Sequence, residues 1–272
     1  MKKYTNLDKF TSSFSWISLE QLNEKASMLE RSENKYIFTL TNLYDSFERL
    51  NEEFEILDIK DKRAFTYETV YFDDDDHVSY KHHHQGKRQR FKVRTRKYVD
   101  SNLYFFEVKL KDKWNSTVKK RYVCKPDDHW KITEESSTFI KNFYSKLYKK
   151  DFSFDLGPST KMSYKRITLV AKAWMERLTI DYDLTFYWDD WNVEYIVPKD
   201  FIIIETKSSN WNGIADKIFK EFKHRWTSCS KFCLSKIVLW KVDKINNFLL
   251  LLKKHFPDII EKRKKQNCLI KC

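Results

Sequence analysis

Through the middle of this chain, polar and apolar positions alternate with a period of two. Between Arg90 and Arg96 every second residue is a cation, Arg90, Lys92, Arg94 and Arg96, with Phe91, Val93 and Thr95 between them. Alternate side chains of a β-strand point to opposite faces. The run therefore predicts a strand with four positive charges on one side and a packing face on the other. Similar texture predicts strands at 65–72, 88–99, 103–111 and 117–124, with turn residues between them, Gln85-Gly86 among them. Gly157-Pro158 predicts a break near the midpoint, and strands are predicted again at 162–172, 174–186, 201–207 and 237–242. Leu19, Leu22, Ala26 and Leu29 fall at helical spacing behind Ser18, which predicts a capped helix over 18–30. Residues 31–40 read as extended, and further helices are predicted over 41–53, 134–147, 212–225 and 243–255. Residues 261–272 read as a frayed basic tail.

An antiparallel sheet with one solvated face would alternate in the same way. The sign of the charge sets this chain apart. Lys35, Lys109, Lys111, Lys119, Arg121, Arg166, Arg177 and Lys207 join the four cations of 90–96 in predicted strands or at their ends. Like charges about 7 Å apart cost on the order of 2 kcal/mol per pair at an effective dielectric of about 20, and well under 1 in bulk water. A fold that encloses such a face must supply anions to it. A sheet closed into a barrel around these cations would form a positively charged tunnel, while a solvated sheet face fits the alternation as well.

The 272 residues suffice for one good core. Aromatic content of 17%, with only 3 Gly and 4 Pro, excludes a disordered or linker-rich chain. A formal net charge of +13 calls for a polyanionic partner, whether nucleic acid, anionic lipid or a phosphate chain. Cys124, Cys229, Cys233, Cys268 and Cys272 form no closely spaced framework, which favours a reducing cytosol. No apolar stretch follows Lys2 and Lys3, and the longest apolar run, 248–252, is too short to span a bilayer. A cytoplasmic protein is expected, with any membrane attachment supplied by a partner chain.

Ordered motifs add a resemblance. Arg31-Ser32-Glu33-Asn34-Lys35-Tyr36 resembles the first-strand signature of VTC-type polyphosphate polymerase domains, members of the triphosphate tunnel metalloenzyme and CYTH-like superfamily. The segment 67–73, the run 90–98, and the segments Phe106-Glu107-Val108-Lys109 and 117–121 follow in the order of bacterial members. Tyr164-Lys165-Arg166 resembles the Tyr-x-Arg strand, and Arg177-Leu178-Thr179-Ile180-Asp181 the Arg-x-Thr-x-Asp strand. Ile204-Glu205-Thr206-Lys207 and Ser230-Lys231-Phe232 resemble the late Glu-x-Lys and Ser-Lys-Phe segments. Two departures stand out. Arg31 replaces the first Glu of the CYTH opening, which favours the VTC branch, and Ser228 stands where eukaryotic VTC domains carry a second Lys.

The resemblance implies an α+β fold, an antiparallel β-barrel (a triphosphate tunnel) with flanking helices. Its parts would be an N-terminal helical segment over 1–30, the tunnel domain over 31–242, and a C-terminal helix with a basic tail over 243–272. The same resemblance implies a metal-dependent polyphosphate polymerase that transfers the γ-phosphate of ATP to a growing chain. It implies Lys35, Lys231, Arg94 and Arg96 as catalytic cations. Arg90, Lys92, Lys109, Lys119, Arg121, Arg166, Arg177 and Lys207 would bind phosphate. Glu205 would hold Mn²⁺ or Mg²⁺, with Glu33 and Glu107 as second choices. Phosphoryl transfer asks a protein mainly for positioning and charge neutralisation. Arg supplies planar bidentate donors to phosphate oxygens and Lys a movable point charge. Taken singly, each of these cations would more often be a solvated surface charge.

Two rivals use the same residues: a triphosphatase, in which water attacks, and a non-catalytic polyphosphate or nucleotide sensor. A nucleic-acid binder fits the composition, but strict alternation suits an enclosed strand better than a flat patch, and no nucleic-acid partner is expected. His82, His83 and His84 lie beside Gln85-Gly86 with no Cys or carboxylate at ligand spacing, so a solvated turn is expected there. Residues 73–76 are expected to form an acidic turn, lacking the spacing and Gly of an EF-hand. Oligomeric state, chain length and initiator leave no mark in the sequence.

Overall fold

The computed structural model describes residues 7–25, 32–112, 114, 116–173, 175–187, 194–209 and 211–269. Arg31 and Trp174, both used in the sequence reading, lie outside the described residues, as do 26–30 of the first predicted helix and the side chain of Cys268. The chain forms an antiparallel sheet with flanking helices, the α+β class expected. It packs as two compact units, one of 1–67, 163–184 and 196–229, the other of 68–162, 185–195 and 230–272.

The first unit opens with α1 (Asp8–Ser12), β1 (Trp16–Ile17), α2 (Leu19–Lys25) and β2 (Ser32–Phe38). The helical region predicted over 41–53 is two helices, α3 (Leu40–Asp45) and α4 (Phe47–Glu53), which part at Ser46. Thr39 caps α3 reciprocally with Asn42. Strand β3 (Phe54–Leu57) follows, pairing in parallel with β1 and antiparallel with the strand over 157–171. Later segments of this unit add most of the Arg177–Tyr187 strand, the Ile202–Ser208 strand and the helix Ile214–Glu221. The core gathers Phe10, Phe38, Leu43, Phe54, Ile204 and Phe219, all fully or almost fully buried. Each such side chain contributes roughly 2 kcal/mol of burial.

The second unit takes most of β4 (Ala64–Asp73), then α5 (Val78–His84), β5 (Arg90–Tyr98), β6 (Leu103–Lys111), β7 (Thr117–Val123) and α6 (Glu134–Tyr148). Strands β5, β6 and β7 form an antiparallel meander in continuous register. Phe91, Val93, Phe106, Val108 and Leu110 on its packing face bury against Ile140 and Phe143 of α6. The Tyr148 hydroxyl closes the contact, its one proton shared between the carbonyls of Arg90 (2.9 Å) and Lys111 (2.6 Å).

Strand β8 (Gly157–Ala171) begins at the predicted break: Gly157 and Pro158 are its first residues, where a missing ladder donor is tolerated. Strands β9 (Arg177–Tyr187), β10 (Glu194–Ile196) and β11 (Ile202–Ser208) and helix α7 (Ile214–Glu221) follow. Three further predictions are corrected. His82, His83 and His84 end helix α5 instead of lying in a hairpin turn. The segment predicted as a strand at 237–242 is the end of helix α8 (Lys231–Val238) and the turn after it. The tail is helical: α9 (Leu249–His255) is followed by α10 (Pro257–Leu269). Among the described residues no helix is long and apolar enough to cross a membrane.

Candidate functional site

The predicted site residues fall into two charged clusters, one in each unit. In the first, β11 pairs with β2 and with β9. Glu205 stands opposite Lys35 and Thr179, and Lys207 opposite Glu33 and Arg177. Glu33 and Lys35 on β2, Glu205 and Lys207 on β11, and Arg177 and Asp181 on β9 thus share one face. Lys35 contacts Glu33 and also lies 3.1 Å from Oε2 of Glu205, while Oε1 of Glu205 contacts Lys207. Arg166 grips Asp181 bidentately, Nε to Oδ1 at 2.5 Å and Nη2 to Oδ2 at 2.8 Å. Its guanidinium also lies over the rings of Tyr67 and Tyr164, which stack on each other at 5.4 Å.

Burial lowers the Lys35 pKa, but Glu205 and Glu33 outweigh it and the net shift is upward. Burial dominates at Lys207 and takes it to about 8, despite Glu205 and Glu33, with Arg177 and Arg166 pushing the same way. Burial would also lower Arg166, yet Asp181 raises it well above the ordinary value. This face is close to charge balance: Lys35, Lys207, Arg166 and Arg177 meet Glu33, Glu205 and Asp181.

The second cluster is built on β5, β6 and β7. Across these strands Lys92 stands opposite Lys109, and Lys109 opposite Lys119. In the next row Arg94 faces Glu107 and Glu107 faces Arg121, and Arg90 faces Lys111 in a third. Arg96 completes the cationic side of β5 and is buried. Glu107 is the only carboxylate in these three strands. It is 1% exposed and both oxygens are engaged, Oε2 with Arg94 at 2.6 Å and Oε1 with Lys119 at 2.5 Å. Burial would raise its pKa, but Arg94, Arg96 and Lys119 hold it well below the usual carboxylate range.

Lys119 is taken down to about 7 by desolvation of its ammonium, with Arg94 and Arg96 adding to the fall and Glu107 opposing it. The Tyr71 hydroxyl accepts from Nη1 of Arg94 at 3.0 Å. Its burial raises its pKa, yet Arg94, Arg96 and Lys92 bring the net shift downward. Arg121 is exposed and packs its guanidinium over Phe105.

Lys231 is the first residue of α8. Ser230 caps that helix, its Oγ accepting from the Cys233 amide, and also accepts from Lys92 Nζ at 2.9 Å. Helix α8 is fixed from its other end by a buried ion pair, Lys236 with Asp73 at 2.7 Å. Asp73, expected in an acidic turn, thus ends β4 inside the protein. The sequence reading missed this pair; a Lys inside an otherwise apolar helical run was the available signal.

Among the described residues no group of three His, Cys, Asp or Glu could hold a metal by itself. Glu205 and Glu33 offer two carboxylates on one strand face, both in contact with Lys35. Hard cations such as Mg²⁺ take one or two carboxylates and complete their shell with water and substrate phosphate. The donor set fits a metal shared with a phosphate ligand.

Among curated proteins none matches this chain. Its model resembles a proposed adenylate cyclase from Bacillus halodurans at 12% identity, covering 80% of this chain and 96% of that one, with a TM-score of 0.44. A proposed adenylyl cyclase from Hippeastrum, described as having a dominant triphosphatase activity, is similar at 11% identity over 76% of this chain and 95% of that one, with a TM-score of 0.43. The PH1819 protein from Pyrococcus horikoshii is similar at 14% identity over 78% and 100%, with a TM-score of 0.39. The model of the VTC domain family matches residues 30–239, most of the chain. This protein belongs to the VTC domain family.

Proposed function

We propose that this VTC domain is a cytoplasmic polyphosphate polymerase that adds the γ-phosphate of ATP to a growing phosphate chain. One observation carries the reading: the Lys92, Lys109 and Lys119 row, in which like charges stand directly opposite across three strands. Such pairs destabilise a sheet, and a linear phosphate chain relieves them. Arg90, Lys92, Arg94, Arg96, Lys109, Lys119 and Arg121 bind that chain. Lys35, Lys207, Arg166 and Arg177 are the phosphate-binding cations of the first unit, and in the second Lys231 with Arg94 and Arg96 steadies charge as it moves to the leaving ADP.

Glu205, aided by Glu33, would hold Mn²⁺ or Mg²⁺, which would supply charge withdrawal from phosphate oxygens. Glu107 instead orients Arg94 and Lys119, because both of its oxygens are engaged by them. In the transfer, a terminal oxygen of the chain forms a bond to the γ-phosphorus as the bond to the β-γ bridging oxygen breaks. ADP leaves, and the chain is one phosphate longer.

The test is product analysis. Purified protein with ATP and Mn²⁺ should yield ADP and a polymer ladder on a polyphosphate-stained gel, and Lys231→Ala should yield neither. Orthophosphate without polymer would assign hydrolysis instead, and binding without turnover would assign a sensor.

A further inference from the structure

We propose that Asp216 is a positioning residue for the charged face of β2 and β11, holding from behind the register that sets Lys35 against Glu205. The inference rests on the reading of Glu205 as the metal carboxylate. Asn34 and Tyr36 flank Lys35 on β2, and Thr206 lies between Glu205 and Lys207 on β11. Alternate strand residues face opposite ways, so these three point away from the charged side. Their side chains converge on a single atom. Oδ1 of Asp216 accepts from Asn34 Nδ2 at 3.1 Å, from the Tyr36 hydroxyl at 2.7 Å and from Thr206 Oγ1 at 2.9 Å.

Oδ2 accepts from the Gly213 amide at 3.1 Å, which ties the strands to the first turn of α7. A second carboxylate fixes that turn: Glu176 accepts from the amides of Ile214 at 2.5 Å and Ala215 at 2.9 Å. Glycine at 213 permits that approach, since a Cβ there would lie 2.5 Å from Oε2 of Glu176 and would push the carboxylate aside. Asp216, Asn34 and Thr206 are all buried, so water cannot replace a lost acceptor. Without it, the Tyr36 and Thr206 hydroxyls regain a partner only by moving the strands, and Asn34 Nδ2 keeps only the Trp211 carbonyl, at 3.1 Å. Asn34 stands opposite Thr206, one residue along from the Lys35 and Glu205 pair, and a shift of the first pair carries the second with it.

The experiment compares full-length Asp216→Ala, Asp216→Asn and Tyr36→Phe proteins by direct Mn²⁺ binding, read from the paramagnetic resonance of free Mn²⁺, alongside ATP turnover. Asp216→Ala should weaken Mn²⁺ binding and slow turnover by roughly tenfold each, the scale of a residue that orients metal ligands. Asp216→Asn keeps a carbonyl acceptor and should stay within roughly threefold of wild type, a conservative rescue. Loss of folded protein lowers the amplitude of Mn²⁺ binding but not its dissociation constant, which separates positioning from destabilisation.

Wild-type affinity and turnover in Asp216→Ala overturn the inference. If that variant does not fold, Tyr36→Phe decides: about threefold weaker Mn²⁺ binding is expected from losing one donor, and wild-type affinity overturns it. Glu205→Gln is the separate arm. Unchanged Mn²⁺ affinity there overturns the metal assignment whatever the Asp216 variants do. Tripolyphosphate affinity unchanged by Asp216→Ala, or by Tyr36→Phe where Asp216→Ala does not fold, would then overturn the positioning role as well.

Discussion

The two charged faces solve opposite problems with the same residue types. On β2, β11 and β9, acid and base alternate across the strands: Glu205 meets Lys35, Lys207 meets Glu33, and Arg166 meets Asp181 on the neighbouring strand pair. On β5, β6 and β7, Lys92, Lys109 and Lys119 stand in one row and a single carboxylate, Glu107, serves the whole face. A balanced face is complete without a ligand and can exchange a lysine for a metal ion at its carboxylates. A face dominated by one sign is complete only with an anion on it. The first is therefore suited to a metal ion held together with phosphate, and the second to an anion rich in charge.

Substitution of the two carboxylates should separate these roles most sharply. Glu205→Ala is expected to lower metal-dependent turnover by about a thousandfold with the smaller loss of thermal midpoint of the two, since Lys35 keeps Glu33 as a partner, measured by coupled ADP release and circular dichroism. Equal activity in that variant would erase the distinction. Glu107→Ala should do the reverse to stability. In phosphate-free buffer it leaves Arg94 and Lys119 without their shared acceptor and should cost about 2 kcal/mol, discounted because part of Lys119 is solvated. Tripolyphosphate should return most of that loss in a thermal melt, and a melt indifferent to tripolyphosphate would break the comparison.

Proton linkage sharpens it further. Folded Lys119 gives up its proton near pH 7, whereas an unfolded lysine keeps it to about 10.4. Between those values the unfolded chain binds more protons, so the ligand-free protein should gain stability as pH rises from 7 towards 10. Lys119→Met should remove the part of that slope between pH 7 and 8, while Lys207, at about 8, sustains the rise above it. Tripolyphosphate favours the charged lysine, so its affinity should fall as pH rises from 6 to 8, read by calorimetry. The smallest effect belongs to the histidines. Replacing His82, His83 and His84 with Ala should leave turnover within about twofold, and a large loss would reveal a role that neither cluster contains.

How much of this was legible in the sequence depends on the period of each segment. The alternation of Arg90 to Arg96 located β5 and its cationic face, and the Glu-x-Lys pattern located Glu205 and Lys207. Pairing was not legible, because nothing in β6 states that Lys109 will stand between Lys92 and Lys119. The last two residues of helix α8 were misread because Ile237 and Val238 run on into Leu239 as a short apolar stretch, and the helix is buried almost all round. A short buried helix and a buried strand share that pattern. Asp216 was invisible for a different reason. Its partners Asn34, Tyr36 and Thr206 sit on the reverse side of the strands that carry the chemistry, and they read individually as ordinary polar residues.

The anion requirement of the β5, β6 and β7 face is the claim on which the rest depends, and calorimetric titration of metal-free protein with tripolyphosphate tests it directly. The account predicts saturable binding that weakens with salt, is lost in the Lys92→Ala and Lys109→Ala double variant, and resists competition by duplex DNA. Absence of binding, binding untouched by the double variant, or displacement by DNA at equal phosphate would contradict it.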